Sequence, residues 1–434
     1  MTISRFKLLG GIVLLIALLL RVGALIAVRP WSDHYERLYL FADARVYHEL
    51  AVTFQKDGIT DEFRNKVAVF APGYPILLGM IYKAFGTSLT LALIANVLIS
   101  VLTCGVIMIV VRKAFDERAA LTAGLLFAFH PHSIRFTSIL YTETLFMLIA
   151  SIFMLSLTQI SQPDKRQLFW LALTSLIASL GTFVRISMLY FSILSVLIWL
   201  ICNKTNWRSS AKFFSLFIIF YIISLSPWMA YNKVHYDTYR LSVSGEYNLL
   251  VIVVAGAKTE DIDEFHKVRK ELLETAHERA ARGGAKNAFE ISKYYLEVSI
   301  EEILKDPYKF MFSLIKGIPH FWFRVSQAES TRLADLRKND PKTVYYIYYS
   351  HIFQILLFLV WIALFIEKGR IPISWKALSV AAVIYFAFTV GNAAYSRFFL
   401  QALPFIVPVA AVNIVGFLDL ICGLVKTKIN RQSD

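Results

Sequence analysis

The stretch LLGGIVLLIALLLRVGALIAV, from Leu8 to Val28, decides the fold class of this chain. A helix of about 20 apolar residues is long enough to cross the hydrocarbon of a bilayer. The stretch begins in the manner of a signal peptide, but no small-residue cleavage site follows it, so we expect a retained membrane helix. Arg21 is its single charged residue, and we expect its side chain to extend to the interface or to pair with an acid inside a helix bundle.

The composition of the whole chain agrees with this stretch. Of 434 residues, 57% are hydrophobic and only 18% are charged, which is too few to cover a soluble protein of this length. The sequence therefore predicts an all-α polytopic membrane protein. The net charge of +14 comes from short basic clusters between apolar runs, and this distribution argues against nucleic acid as a partner. The three cysteines lie in or beside apolar runs and imply no disulfide framework.

Apolar runs of sufficient length predict about ten transmembrane helices. The candidate spans are roughly 8–28, 88–111, 119–134, 143–160, 168–184, 187–202, 212–230, 346–366, 375–393 and 399–424. Lys and Arg concentrate in alternate connections, at 5–7, 112–118, 165–166, 204–212, 368–376 and 426–431. Because cytoplasmic loops carry an excess of these residues, we expect a multi-pass protein of the inner membrane with both termini in the cytoplasm.

This orientation places two long segments, 29–87 and 231–345, on the extracytoplasmic side. We expect a transmembrane module at 1–230 that includes the first segment, a helical external loop at 231–345, and further membrane helices at 346–434. Amphipathic helices should cover the outer face. The stretch 310–323 is apolar with scattered Lys and either spans the membrane or lies in its interface.

The first external segment contains FADARVYHELAVTFQKDGI, from Phe41 to Ile59. If it is helical, Asp43, Tyr47 and Ala51 share one face. The following VFAPGYPILLGMIYKAFG has Pro72 and Gly73 at a turn before a short apolar helix. A solvated amphipathic helix is the alternative interpretation of the first stretch.

The order of these motifs resembles the first external loop of the GT-C superfamily of glycosyltransferases. The resemblance is to the bacterial branch related to protein O-mannosyltransferases and aminoarabinose transferases, and it continues along the chain. Further similar motifs are SILYTETLFMLIASIF (Ser138–Phe153), LGTFVRISMLYF (Leu180–Phe191), SPWMAYNKVHYDTYRLSVSGEYNL (Ser226–Leu249), ILKDPYKFMFSLIKG (303–317) and YSRFFLQALPFIVPVAA (Tyr395–Ala411). One position departs from the family, because Tyr231 stands where many relatives have Arg before the Asn.

The resemblance implies transfer of a sugar from a polyprenyl-phosphate carrier to an acceptor on the extracytoplasmic face. Asp43 matches the family's first-loop acid, which activates the acceptor as a general base. The leaving group is an anionic lipid phosphate, so cationic side chains are needed opposite the base. Arg185 and Arg397, each alone at an outer helix end, are the candidates; interface anchoring is their alternative role. We expect Asp43 and these two arginines to converge on one outward-facing cavity.

Several other residues are candidates for the same site. Glu143 is a second candidate catalytic acid, although an acid near a helix N-terminus also stabilises the helix dipole. Asp33, Arg45, Tyr47 and His48 are accessory candidates in the first external segment. Each of these has a surface or packing role as its alternative.

No cofactor is required by the sequence, with a divalent cation as the alternative. Members of the superfamily differ in their use of such a cation. His130 and His132 flank a proline and could suggest a metal, but no third ligand is near them in sequence, so an interfacial pair of histidines is the favoured interpretation. The metal site is therefore left unassigned.

The expected partners are a polyprenyl-phosphate-linked sugar, membrane lipid, and an acceptor that is a glycan, a lipid or a protein. Two other functions have to be weighed. A flippase or transporter of lipid-linked glycans would be expected to show inverted repeats, which this sequence lacks. An O-antigen ligase or polymerase also has a large outer loop, but it lacks the first-loop acid followed by PGYP.

Overall fold

The computed structural model describes residues 3–160, 166–203, 206–324 and 341–433. Within these ranges every regular element is helical, which confirms the predicted fold class. The predicted basic residues Lys165 and Lys204, and the side chains at 426–431, lie outside the described part of the chain.

The helices follow one another in three groups. The first group comprises α1 (Ile3–Val28), α2 (Asp33–Tyr39), α3 (Ala42–Asp57), α4 (Asp61–Phe70), α5 (Gly73–Phe85), α6 (Leu89–Ala114), α7 (Glu117–Phe129), α8 (Pro131–Arg135), α9 (Glu143–Ile160), α10 (Gln167–Val184), α11 (Ser187–Asn203) and α12 (Trp207–Tyr236). The second comprises α13 (Ser244–Asn248), a π turn (Leu249–Val254), α14 (Ala255–Lys258), α15 (Ile262–Arg282), α16 (Ala288–Lys305) and α17 (Pro307–Phe323). The third comprises α18 (Pro341–Ile362), α19 (Ile373–Phe388), α20 (Ser396–Phe399) and α21 (Leu403–Ser433).

Seven of these helices are long and apolar enough to cross a membrane. They correspond to α1, α6, α9, α10, α12, α18 and α21. Two more predicted spans, α11 and α19, are apolar but shorter, with 17 and 16 residues. The tenth, α7, has 13 residues and ends at Phe129, where His130 and Pro131 break the helix. The protein is therefore a membrane protein with seven long apolar helices and three shorter ones among the described residues.

Arg21 shows why α7 ends inside the bundle. Its fully buried guanidinium donates to the α7 carbonyls of Phe127 and Ala128, at 3.3 Å each, and to Ser100 Oγ at 2.6 Å. The last carbonyls of a helix lack intrahelical donors, so Arg21 satisfies them. Neither of the predicted arrangements, extension to the interface or pairing with an acid, is correct. The sequence feature that relates to this role is the helix break after Phe129, because the last carbonyls of α7 then need hydrogen-bond donors from elsewhere.

The first external segment forms a helical hairpin against the bundle. α3 and α5 pack closely, and Gly79 allows this because a Cβ there would lie 2.9 Å from the Ala51 carbonyl oxygen. Tyr47 and Ala51 are buried on one face of α3, as the sequence predicted. The described part of the second long segment is also helical, with α15 and α16 paired and α17 returning to the bundle. The domain boundary after residue 230 stays a prediction, since α12 itself continues to Tyr236.

The ends of the bundle differ in their charged groups. Arg118, at the start of α7, and Arg370, before α19, both pair with Asp419 on α21. The opposite end carries the first external hairpin and the beginnings of α9, α11 and α20. The candidate site lies at that end.

Candidate active site

Asp43 lies in the first turn of α3, at the wall of a large cavity. The residue before it, Ala42, has a φ of +45°, and Ala71, at the end of α4, has a φ of +61°. Left-handed backbone costs a non-glycine residue about 1–2 kcal/mol, and such positions cluster at functional sites. Both alanines line the same cavity as Asp43.

Three chain segments bring opposite charges together beside Asp43. Arg397 Nη1 lies 2.8 Å from Asp43 Oδ2, and Arg397 Nε donates to Glu143 Oε1. Arg185 Nη1 donates to the same Glu143 oxygen at 2.6 Å and to Thr142 Oγ1 at 2.9 Å. The result is a chain of alternating charges, Asp43–Arg397–Glu143–Arg185, with no net charge.

A cavity of about 890 Å³ opens onto this chain of charges. Asp43, Arg185 and Arg397 all line it, so the expected convergence of these three side chains is found. Tyr47 lines it too, and burial raises the pKa of its hydroxyl. An anionic group in this cavity would meet two guanidinium groups and a carboxylate at once.

Glu143 has a different position from the other three charges. Its side chain is fully buried and does not line the cavity, although it begins α9. Oε1 binds both arginines, whereas Oε2 has no hydrogen-bond partner among the described residues. Its place at the helix N-terminus also favours a negative charge. Glu143 thus pairs with both arginines from a position outside the cavity lining.

Arg397 is held from several sides. Its guanidinium lies over the Tyr141 ring, 4.0 Å from the centroid, and its side chain is only 9% exposed. Burial disfavours its charge, but Glu143 and Asp43 outweigh this and hold the pKa of Arg397 well above its usual value. The guanidinium therefore stays charged at the cavity wall. Nη2 has no hydrogen bond with the described residues, and the same is true of Nε and Nη2 of Arg185.

The remaining accessory candidates lie away from the cavity. Asp33 and Arg45 are exposed, on α2 and α3 respectively. His48 Nδ1 is 3.0 Å from the Tyr82 hydroxyl on α5, and burial lowers its pKa. None of these three residues is among those that line the cavity.

The PGYP turn fixes one wall of the site. A Cβ at Gly73 would lie 2.8 Å from the Phe183 carbonyl oxygen, so glycine lets α5 begin directly against the end of α10. Arg185 follows that end. The next residue, Tyr74, donates to Asn96 Oδ1 at 3.2 Å, and Asn96 Nδ2 donates to the Ile139 carbonyl at 3.2 Å. These bonds hold the segment that carries Tyr141, which packs on Arg397.

The structure adds three arginines that the sequence did not single out. Arg240, Arg269 and Arg324 line the cavity from the second external segment. Arg240 pairs with Glu246, Arg269 donates to the Tyr247 hydroxyl at 3.3 Å, and Arg324 donates to the Asn392 carbonyl at 3.2 Å. They come from distant parts of the chain, and only Arg240 lies within one of the motifs identified from the sequence.

That motif begins with SPWMAYN, which contains Trp228 and Asn232. Asn232 Nδ2 donates to the Arg240 carbonyl at 2.7 Å, and Trp228 Nε1 donates to the Leu241 carbonyl at 3.2 Å. Both side chains on α12 therefore hold the backbone that carries Arg240. Tyr231, the departure from the family pattern, does not line the cavity; the Arg64 guanidinium lies 4.0 Å from its ring centroid.

The described residues contain no group of three or more His, Cys, Asp and Glu side chains that could hold a metal ion. The carboxylates of Asp43 and Glu143 are both bound to Arg397. His132 Nδ1 lies 2.8 Å from the Tyr346 hydroxyl, and His130 Nδ1 accepts the Ser133 amide at 3.2 Å. Both histidines are buried among aromatic rings at the end of α7.

Comparison with known proteins agrees with the predicted resemblance. The profile of a family described as dolichyl-phosphate-mannose-protein mannosyltransferase matches residues 70–231, which is less than half of the chain. None of the curated proteins matches the chain in sequence.

Solved structures share its fold at low identity. The chain is similar to the oligosaccharyltransferase AglB from Archaeoglobus fulgidus, in complex with an inhibitory peptide and a dolichol-phosphate, with 14% identity and a TM-score of 0.52. This match covers 96% of the present chain and 52% of AglB, so the chain spans about half the length of that enzyme. ArnT from Cupriavidus metallidurans bound to undecaprenyl phosphate is also similar, with 15% identity and a TM-score of 0.46 over 96% of this chain and 78% of ArnT. The expected resemblance is thus found as a fold shared with AglB and as a family match over residues 70–231.

Proposed function

We propose that this protein is an integral-membrane glycosyltransferase that uses a polyprenyl-phosphate-linked sugar as donor. The observation that carries the proposal is the cavity in which Asp43, Arg185 and Arg397 meet. The family match at 70–231 and the AglB-like fold support the same class of enzyme. The acceptor is a glycan, a lipid or a protein, and the active site faces the extracytoplasmic side, with both termini in the cytoplasm.

The donor phosphate binds at the two arginines. Arg185 and Arg397 line the cavity, and each has an N–H group without a hydrogen bond to the described residues, while Glu143 pairs with both. Charge-assisted hydrogen bonds from guanidinium to phosphate are among the stronger polar contacts in proteins. Because Glu143 is fully buried behind them, we assign it a positioning role and not a catalytic one.

An apolar part of the same cavity suits the lipid chain. Leu189 and Tyr190 on α11, Met229 on α12 and Phe388 on α19 line it beyond Arg185. Tyr190 is 66% exposed on the outer surface of the bundle, so this part of the cavity reaches the region that lipid would occupy. A polyprenyl chain bound here would leave its phosphate at the arginines.

Asp43 changes partner when the donor binds. In the free protein its Oδ2 is paired with Arg397. A donor phosphate that takes hydrogen bonds from Arg397 competes for this guanidinium and releases Asp43. The carboxylate is one-third exposed, at 34%, and therefore accessible to an acceptor hydroxyl or amine.

The transfer step moves one proton and exchanges one bond at the anomeric carbon. Asp43 takes the proton of the acceptor as the acceptor oxygen or nitrogen forms a bond with the anomeric carbon. The bond between that carbon and the phosphate oxygen breaks, and its electron pair stays on the polyprenyl phosphate. Arg185 and Arg397 stabilise the added negative charge, and Asp43 later returns its proton to water.

The test compares two aspartates of the first external segment. Asp43→Asn and Asp33→Asn are purified in nanodiscs and supplied with undecaprenyl-phosphate-linked hexoses and pentoses together with a membrane extract as acceptor source. Release of undecaprenyl phosphate is measured by mass spectrometry. Loss of a general base costs about 10²–10⁴-fold in rate, so we expect this loss for Asp43→Asn and near-normal release for Asp33→Asn.

Near-normal release by a correctly folded Asp43→Asn would remove Asp43 as the base. Movement of intact donor across a proteoliposome membrane without release of undecaprenyl phosphate would favour a transporter instead. Transfer of a long diphosphate-linked glycan by Asp43→Asn would favour a ligase or polymerase.

A further inference from the structure

An exposed apolar surface runs along the outer side of α17 and its junction with α16. It consists of Leu304, Tyr308, Met311, Phe312 and Ile315, which we call the outer stripe. Tyr308 is 87% exposed, and Leu304, in the last turn of α16, is 71% exposed. The spacing of Tyr308, Met311, Phe312 and Ile315 places these four residues on one face of α17. Exposed apolar surfaces of this kind mark contacts with lipid or with other proteins.

The other face of α17 belongs to the cavity. Phe310 and Leu314 line it, between the exposed positions of the outer stripe. Gly317 fixes the helix there, since a Cβ at that position would lie 2.4 Å from the Gly391 carbonyl oxygen. The helix α17 is therefore a single wall that separates the cavity from whatever covers the outer stripe.

The helix that carries the outer stripe packs at its end against a spanning helix. Towards its end α17 enters the bundle, where the Trp322 ring packs on Trp361 of α18, 5.1 Å between centroids. On α18 the neighbouring Ile355 and Leu359 are 48% and 55% exposed, as expected for a helix that faces lipid. A helix that packs at its end against a lipid-facing span has lipid as the natural neighbour of its exposed apolar face.

Cationic side chains lie at the junction of α16 and α17. Lys305 and Lys309 are exposed on either side of Asp306 and Pro307. Lys305 pairs with Glu302, and Lys309 Nζ donates to the Lys258 carbonyl at 3.2 Å. Lysines beside an apolar helical face are typical of helices that lie in the lipid head-group region.

We propose that the outer stripe is immersed in the phospholipid of the adjacent leaflet, so that α17 is the thin partition between bilayer and active-site cavity. The occupant of this surface is membrane lipid, not a protein partner or a second copy of the chain. Its role as a partition for a lipid-linked donor rests on the proposed function, whereas the immersion itself does not.

The test measures lipid contact directly in the full chain. Cys104, Cys202 and Cys422 are replaced by Ala, and single cysteines are introduced by Phe312→Cys, Leu19→Cys and Lys270→Cys. Each is labelled with bimane and reconstituted in phosphatidylethanolamine–phosphatidylglycerol nanodiscs that contain doxyl-labelled lipid. Leu19, 60% exposed on the spanning helix α1, is the lipid-facing control, and Lys270 on α15, with a side chain 76% exposed, is the solvent-facing control.

We expect doxyl lipid to quench the label at residue 312 by at least about half as much as the label at residue 19, and to leave the label at 270 nearly unchanged. Equal behaviour at 312 and 270 would overturn the proposal. Protection of residue 312 from an aqueous thiol reagent without lipid quenching would instead show a protein partner and would also overturn it. Because no donor is present, the Asp43→Asn chain should give the same quenching, which separates this result from the fate of the proposed function.

Discussion

Two carboxylates in this molecule each lie between two arginines, at opposite ends of the helix bundle. Glu143 binds Arg185 and Arg397 with none of its side chain exposed, whereas Asp419 binds Arg118 and Arg370 with 38% of its side chain exposed. The residue types match, but the surroundings differ. Water screens the exposed triplet, while the buried one depends on its own internal balance of charge.

The difference indicates where charge is used for function. A buried ion pair is weak evidence of stabilisation, because its desolvation offsets its attraction. A buried ion pair can still hold charged side chains in fixed positions at the wall of a cavity. Glu143 holds two guanidinium groups that line the cavity, and nothing comparable surrounds Asp419 among the described residues.

The largest effect on stability is expected at Glu143. Glu143→Ala leaves two arginines without their shared partner inside the protein, and breaking such a buried arrangement costs about 3–5 kcal/mol of unfolding free energy. Glu143→Gln, of the same shape, should lose less. Thermal unfolding in detergent, followed by tryptophan fluorescence, measures both. If Glu143→Ala were as stable as the wild type, the proposed difference between the buried Glu143 and the exposed Asp419 would be wrong.

An intermediate loss of stability is expected at Gly73, at the cavity end of the bundle, and a smaller loss at Gly416, beside Asp419. Gly73→Ala sets a Cβ against the Phe183 backbone oxygen at 2.8 Å, and overpacking of this kind costs about 1–3 kcal/mol. Gly416→Ala, at the opposite end, brings its Cβ to 2.6 Å from Arg370 Nη1, the far end of a flexible side chain that can move away.

The same unfolding assay compares the two glycine variants. Equal destabilisation by both would contradict the view that the cavity end is fixed by its backbone and the other end is not.

The smallest effect is expected at Asp419. Asp419→Asn removes an exposed carboxylate, and exposed ion pairs contribute little. Its melting temperature and its transfer activity should stay within the scatter of repeated wild-type measurements. A clear loss of stability in Asp419→Asn, not restored by high salt, would show that exposure to solvent does not determine how much each carboxylate and its two arginines contribute to stability.

The sequence predicted the fold class, and it singled out all four charges of the site as candidates. Arg185 and Arg397 adjoin the ends of apolar runs on the same predicted side, whereas Asp43 was singled out by the resemblance of its motif to a family. The role of Glu143 did not follow, because its position at the start of α9 fits a catalytic acid as well as a buried counter-charge. Only its burial behind both arginines separates the two.

Other parts of the site required the tertiary structure. Arg269 and Arg324 reach the cavity from helices whose sequences look like ordinary amphipathic surface, and no periodicity indicates which charge faces a cavity. The partner of the last α7 carbonyls was also unpredictable by apolar length, since Arg21, over one hundred positions earlier, binds them.

The most direct test of the central claim is the affinity of the purified protein for undecaprenyl phosphate, measured by native mass spectrometry for Arg185→Gln and Arg118→Gln. Loss of charge-assisted hydrogen bonds should weaken binding by about tenfold or more in Arg185→Gln, while Arg118→Gln should bind like the wild type. Arg185→Lys, which keeps the charge, should fall between them and covers the case in which the glutamine variant does not fold. Wild-type affinity in folded Arg185→Gln and Arg185→Lys, or an equal loss in Arg118→Gln, would contradict the assignment of this cavity as a lipid-phosphate site.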